Sequence, residues 1–225
     1  MFKPLLIVLI VSLAAGCGGG DEQASGPRPA NPDATVATNG TTPDSAPTGG
    51  SAVPEGTMAV KAARATHASD GLRVRTCDGG SIRLNAAEKR LLELHNEART
   101  QRGLEPLCVD PTLTEAARAH SEDMIEKDYF AHTTPGGGSL GERLKRFGYT
   151  PEGYRFWKVG GNIAWHSGAE PEPENMFEGW MNSPPHRHNI LEEDFRQIGI
   201  GTASGEYKSF EHSVMYTADF GVRRG

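Results

Sequence analysis

Two histidines stand in short motifs whose residue types can do chemistry. His132 lies in Phe130-Ala131-His132-Thr133-Thr134-Pro135, and His186 in Ser183-Pro184-Pro185-His186-Arg187-His188-Asn189-Ile190-Leu191. Between them runs Val159-Gly160-Gly161-Asn162-Ile163-Ala164. Neutral imidazole is both a metal ligand and a general base near neutral pH, so the three motifs point to a cavity lined by imidazoles. The middle motif supplies glycine, Gly161, and no carboxylate. Spacing alone leaves plainer roles open: His132 as a helix C-cap or hydrogen-bonded core residue, His186 as the cap of its own helical turn. His188 reads as surface, and His166, just past a strand, as exposed.

The elements that must position these residues follow from caps and periodicity. Asn85 and Glu88 fit a capping box, and Leu91, Leu94 or His95, and Ala98 recur at helical spacing, so a first helix runs to about Gln101 and stops at Gly103. Asp110-Pro111 is an N-cap followed by proline at the first helical position, with Leu113, Ala116, Ala117, His120 and Met124 on the buried side of a second helix. Ser139 and Glu142 form another capping box for a short third helix ending near Phe147-Gly148. Val159 to Trp165 reads as a strand, Glu172 to Met181 as a helix, and His186 to Leu191 as a helical turn. Strands at about Gln197 to Ala203 and His212 to Phe220 pair as a hairpin through a polar turn around Gly205. Helices in both halves with strands in the second predict an α+β fold rather than alternating βαβ units.

The ends of the chain speak to location. Lys3 supplies a positive start, Leu5 to Ala15 is an apolar run too short to span a bilayer, and small residues precede Cys17. Residues 1–16 therefore read as a signal peptide. Leu13-Ala14-Ala15-Gly16-Cys17 resembles the bacterial lipobox, in which the cysteine is lipidated; an ordinary secretory signal with an incidental cysteine is the alternative. Residues 17–76 are glycine, proline, serine, threonine, alanine and aspartate with almost no large apolar residue, the composition of a disordered tether. As a flexible coil such a tether spans about 40–45 Å. Residues 77–225 have the length of one domain. Losing Lys3 with the leader leaves 22 basic against 29 acidic side chains, a net of −7 with no basic stripe, so nucleic acid is excluded as an expected partner. Cys77 and Cys108, an even pair in an exported domain, predict a disulfide; two free buried thiols are the alternative.

Several motifs occur together in one order: Leu94-His95-Asn96-Glu97-Ala98-Arg99, Gly103-Leu104-Glu105-Pro106-Leu107, Phe130-Ala131-His132, Gly160-Gly161-Asn162-Ile163-Ala164, Trp180-Met181-Asn182-Ser183-Pro184 with His186-Arg187-His188-Asn189-Ile190-Leu191, and Tyr216-Thr217 before Phe220-Gly221. From about Ala86 to Val222 the chain resembles the bacterial form of the CAP superfamily (cysteine-rich secretory proteins, antigen 5, pathogenesis-related 1). The resemblance implies an α-β-α sandwich, with a small, mainly antiparallel sheet between helices, and a central cleft. On the family pattern His132, Gly161, Asn162 and His186 fall in that cleft, with His132 and His186 as the metal ligands. Many relatives hold a divalent cation there, often zinc, beside acids that here correspond to Gly161 and Ser183. Two imidazoles without an anion hold zinc weakly and lack a base for its bound water. Glu178, near Trp180, is the candidate substitute acid.

The expectations are a membrane-anchored extracytoplasmic lipoprotein attached through Cys17, with no required cofactor and at most a weakly bound zinc or other divalent cation. Binding or structure outweighs catalysis. The cleft is expected to engage an envelope lipid, glycan or extracellular protein, with a weak metal-dependent hydrolase of the peptidase kind, using His132 and His186, as the competing reading.

Overall fold

The computed structural model describes residues 9–14, 71–168 and 173–225. Cys17 and nearly all of the expected tether lie outside the described residues. The elements in order are β1 (Leu9–Ala14), β2 (Leu72–Arg75), β3 (Ser81–Leu84), α1 (Ala86–Thr100), β4 (Cys108–Val109), α2 (Pro111–Glu126), α3 (Leu140–Arg146), β5 (Phe156–Ser167), α4 (Pro173–Asn182), α5 (Pro184–Leu191), β6 (Gln197–Tyr207) and β7 (Phe210–Arg224). The main sheet has the order β1-β5-β7-β6-β4 and is antiparallel except where β4 joins β6 in parallel. A separate hairpin pairs β2 with β3. The fold is the α-β-α sandwich expected.

Helix starts obey the local code. Asn85 and Glu88 close a capping box on α1, Ser139 and Glu142 another on α3, and the Asp110 carboxylate accepts from the backbone of Thr112 and Leu113 ahead of Pro111. Each box satisfies helix N–H groups that have no intrahelical partner.

The sheet is buried on both faces. Alternate residues of β7 separate the layers: Tyr216, Ala218, Phe220 and Val222 pack with Leu91, Trp180, Ile190 and Phe195 from the α1, α4 and α5 side. On the opposite face Leu113, Leu140, Leu144 and Val159 form one cluster and Met124, Ile163, Trp165 and Met215 another, under α2 and α3. The closest helix-to-sheet approach is α2 on β6. A Cβ added at Gly199 would fall into the backbone at Leu113–Thr114, and one at Gly201 into the backbone at Ala117–Arg118. Gly205 continues the track against the side chain of Ile125.

Three expectations need correction. Gly205 is not a turn; it lies within β6, and the chain reverses at Lys208, whose φ is 54°. Its lack of a side chain serves Ile125 instead. Leu72–Arg75 is strand rather than tether, because Val74 packs on the core and β3 supplies backbone partners, so ordered structure begins before Cys77. His166 is buried, not exposed.

Cys77 and Cys108 form the predicted disulfide, 31 residues apart, joining the β2–β3 turn to β4. Closing a loop of that length stabilises a domain by about 3–4 kcal/mol. Asn96 and Arg99 fasten α1 to the segments beside it. Asn96 donates to and accepts from the Leu107 backbone. The Arg99 guanidinium, fully buried, donates to the carbonyls of Glu105, Ile190, Glu192 and Phe195 at 2.8–3.2 Å. It thereby locks the end of α5 to α1.

The glycine track yields a prediction. Gly201→Ala should cost about 3 kcal/mol or more, because a backbone rather than a mobile side chain occupies the Cβ position. Gly153→Ala, at φ 85° with nothing within 4 Å, should cost about 1 kcal/mol through conformation alone. Urea unfolding of the two variants beside the parent measures the difference.

Candidate functional site

The motif residues reach the sheet from opposite layers. His132 follows α2 in the loop that leads to the glycine run, and it is 5% exposed. It lies close enough to His120 for its charge to disfavour protonation there. His120, on α2, is held by a 3.0 Å contact between its Nε2 and the Ala131 carbonyl, which fixes Nε2 as the protonated nitrogen. Burial foremost, with the nearby charges of Arg143 and His132, drives the His120 pKa down to about 2.

His186 enters from α5 and is 1% exposed. Its carbonyl accepts from Asn162 Nδ2 at 3.1 Å. Asn189 Nδ2 in turn donates to the Gly161 carbonyl at 3.1 Å and to Asn162 Oδ1 at 2.9 Å. Asn162 is therefore a buried hydrogen-bonding residue that clamps β5 to α5. The α4 helix joins the same strand through Trp180 Nε1, which donates to the Ile163 carbonyl at 3.2 Å.

Strand alternation divides the middle motif. Gly160 and Asn162 face α5, where a Cβ on Gly160 would sit 2.9 Å from the Phe195 ring. Gly161 faces the other layer, pairs with Asp219 of β7, and its Cβ would lie 3.3 Å from both Asp219 Oδ1 and Leu140 Cδ2. The space beside Gly161 is thus already narrowed by Leu140 and faced by a carboxylate. Gly161 and Asn162 consequently address different helices, a separation that the linear motif does not display.

Asp219 is fully buried, and Arg143 Nη2 donates to its Oδ1 at 2.9 Å. Burial raises the carboxyl pKa to about 6, overcoming the opposing pull of the guanidinium. Arg143 also donates to the Ala116 carbonyl at 3.3 Å. This pair was not singled out in the sequence. The Arg143 position on the inner face of α3 was the available signal, since Leu140 and Leu144 flank it at helical spacing.

Glu178, the candidate substitute acid, is exposed on α4. His188 is at the surface, with 64% of its side chain accessible. Among the described residues no group of three or more histidines, cysteines, aspartates or glutamates is gathered so as to hold a metal ion. Two imidazoles alone fall short of the three protein ligands of a catalytic zinc.

His95 is the buried histidine that sequence patterning treats only as an alternative to Leu94. Its Nδ1 donates to the Leu91 carbonyl at 2.7 Å, and the ring packs edge-on against Phe177 and Trp180. Burial lowers its pKa to about 4.

Known proteins share this arrangement of motifs. A family model described as the cysteine-rich secretory protein family, CAP, matches residues 92–220. The chain is 39% identical over 129 residues to the uncharacterized protein YkwD of Bacillus subtilis, covering 57% of this chain and 47% of that one. It is 39% identical over 116 residues to the uncharacterized membrane protein YlbC of the same organism, covering 51% and 31%. The chain thus spans less than half the length of either relative. Among solved structures, it matches an extracellular protein with an SCP domain from Bacillus anthracis at 30% identity and a TM-score of 0.47, over 62% of this chain and 40% of the other. An outer surface protein of Borrelia burgdorferi matches at 20% identity and a TM-score of 0.49, over 68% and 99%.

The buried histidines set a pH dependence. His95 and His120 have folded pKa values below the unfolded value of about 6.5, so the unfolded chain binds more protons and stability falls as pH drops below that value. Asp219 has the opposite sign: its raised folded pKa gives stability that is full below about 4 and is lost as pH rises through about 6. His95→Phe should therefore shrink the acid loss between pH 6.5 and 4, by up to about 1.4 kcal/mol per pH unit. Urea midpoints measured across that range for variant and parent test it; parallel curves would show that His95 does not titrate as a buried neutral ring.

Proposed function

Because the chain belongs to the CAP, or cysteine-rich secretory protein, family, we propose that it acts outside the cytoplasm as a membrane-tethered binding module rather than as an enzyme, its central cleft engaging an envelope lipid, glycan or protein. The observation that carries this reading is the state of the carboxylates. Gly161 has none, Glu178 points to solvent, and the carboxylate facing Gly161, Asp219, is fully buried and ion-paired with Arg143 through Oδ1. A hydrolase needs a base within hydrogen-bond reach of an attacking water, and an imidazole pair without an anion supplies a poor metal site. A scaffold in which Asn162, Asn189 and Arg143 hold helices to the sheet suits binding better than turnover.

The tether rests on the leader and Cys17. The apolar run before Cys17 and the polar stretch after it supply an anchor and a spacer. The lipobox-like end of the leader makes a lipid on Cys17 the proposed attachment; among the described residues no helix is long and apolar enough to cross a membrane. The similarity to a membrane protein of Bacillus subtilis supports an envelope setting.

Two measurements test the reading. Metabolic labelling with a palmitate analogue in an exporting bacterium should mark the chain and fail to mark Cys17→Ser. Peptide hydrolysis by the full chain should remain at background and be indifferent to chelators. Chelator-sensitive turnover abolished by His132→Ala would instead establish the hydrolase and end the binding-module reading.

A further inference from the structure

The strand between the two histidine motifs has a free side apart from β7, and the chain's own leader covers it. β1 runs antiparallel to β5, with Leu9 opposite Trp165, Val11 opposite Ile163 and Ala14 opposite Gly160. The six residues that it covers are Gly160-Gly161-Asn162-Ile163-Ala164-Trp165. Two carbonyls of this stretch accept side-chain bonds, Gly161 from Asn189 and Ile163 from Trp180, and each keeps a second lone pair; beyond that the stretch has none of the charged or proline devices by which edge strands resist pairing. It contains no lysine, no proline and no charged residue, and its register with β7 is continuous, without a bulge.

The edge also lies between walls. α5 packs against β1 as well as β5. On the other face, Leu140 of α3 closes over Gly161. A strand added here is covered on both sides, where unpaired backbone N–H and C=O groups are costly.

The next step rests on the reading that the leader is removed at Cys17. Cleavage there takes residues 1–16, β1 among them, and opens this six-residue edge. We propose that in the processed chain the outer edge of β5 is a strand acceptor, which captures an extended, uncharged, proline-free apolar peptide as an additional antiparallel strand. Leu9–Ala14, Leu-Ile-Val-Ser-Leu-Ala, shows the chemistry that the slot takes. Main-chain hydrogen bonds supply affinity, and side chains alternating toward the α5 and α3 walls supply selectivity. In the precursor the leader holds the same edge in cis and keeps the acceptor closed.

The test uses the full chain, expressed with its leader in an exporting bacterium, extracted in detergent, and its N-terminus read by mass spectrometry. The probe is a fluorescent peptide of residues 9–14 with solubilising ends, beside two versions N-methylated on one or the other set of alternating residues. The expected result is saturable binding of the parent peptide and slowed amide exchange at residues 160–165. One methylated version should bind at least about tenfold more weakly, because its hydrogen bonds face β5, and the other within about twofold of the parent. Equal binding of all three peptides, no binding at all, or a concentration-dependent dimer that excludes the peptide would overturn the proposal. A leader still attached to the exported chain would end the tether reading and this one together; a removed leader with no binding would end this one alone.

Discussion

The structure depends on how closely α2 lies on β6. Gly199 and Gly201 put backbone directly beneath the helix backbone, a separation that any side chain would prevent. From that contact the rest of the layer follows. Ser121 reaches the Gly201 carbonyl and the Thr217 hydroxyl, His120 is pressed into a site where its charge is not tolerated, and the loop carrying His132 leaves the helix at a fixed place. On the solvent side Arg118 of α2 pairs with the buried Glu88 of α1's capping box, so the same helix also anchors the opposite layer.

Two buried guanidiniums divide the remaining work. Arg99 is satisfied by carbonyl oxygens alone and acts as a peg between α1 and the segment after α5. Arg143 meets a carboxylate, Asp219, and so removes the free negative charge beside Gly161. Breaking such a buried pair from one side strands a charge in a poor solvent, which is why these pairs persist even when their net contribution is small. The carboxylate nearest Gly161 is thereby committed to an ion pair through its Oδ1. Burial disfavours the charged forms of His95 and His120.

The cleft motif is also a packing motif. Asn162, Asn189 and the His186 carbonyl form one connected set that fixes α5 on β5, and Trp180 holds α4 to the same strand. β5 is thus held to its helices by the Asn162 side chain and by its own carbonyls at Gly161 and Ile163, while β1 pairs along its outer edge.

Much of the architecture was written locally. The capping boxes at Asn85 and Ser139 and the Asp110-Pro111 start are short-range hydrogen-bonding choices, and each appears where the sequence places it. The buried face of α2 follows from helical spacing, and the Cys77–Cys108 bond from counting cysteines in an exported domain. β2, β3 and β4 are not legible in the sequence because strands of two to four residues carry too little periodicity to register. The partners were likewise unreadable: that Gly161 faces Asp219 depends on the register of β5 with β7, that Arg99 serves the α5–β6 segment depends on two helices meeting, and that His166 is covered depends on neighbours remote in the chain. The sequence alone determined where helices begin, which faces turn inward and which motifs the site contains, since those are interactions among residues a few positions apart. Only the tertiary structure decided which charges neutralise one another and which layer each histidine approaches from, because those outcomes are set by strand register and backbone separation.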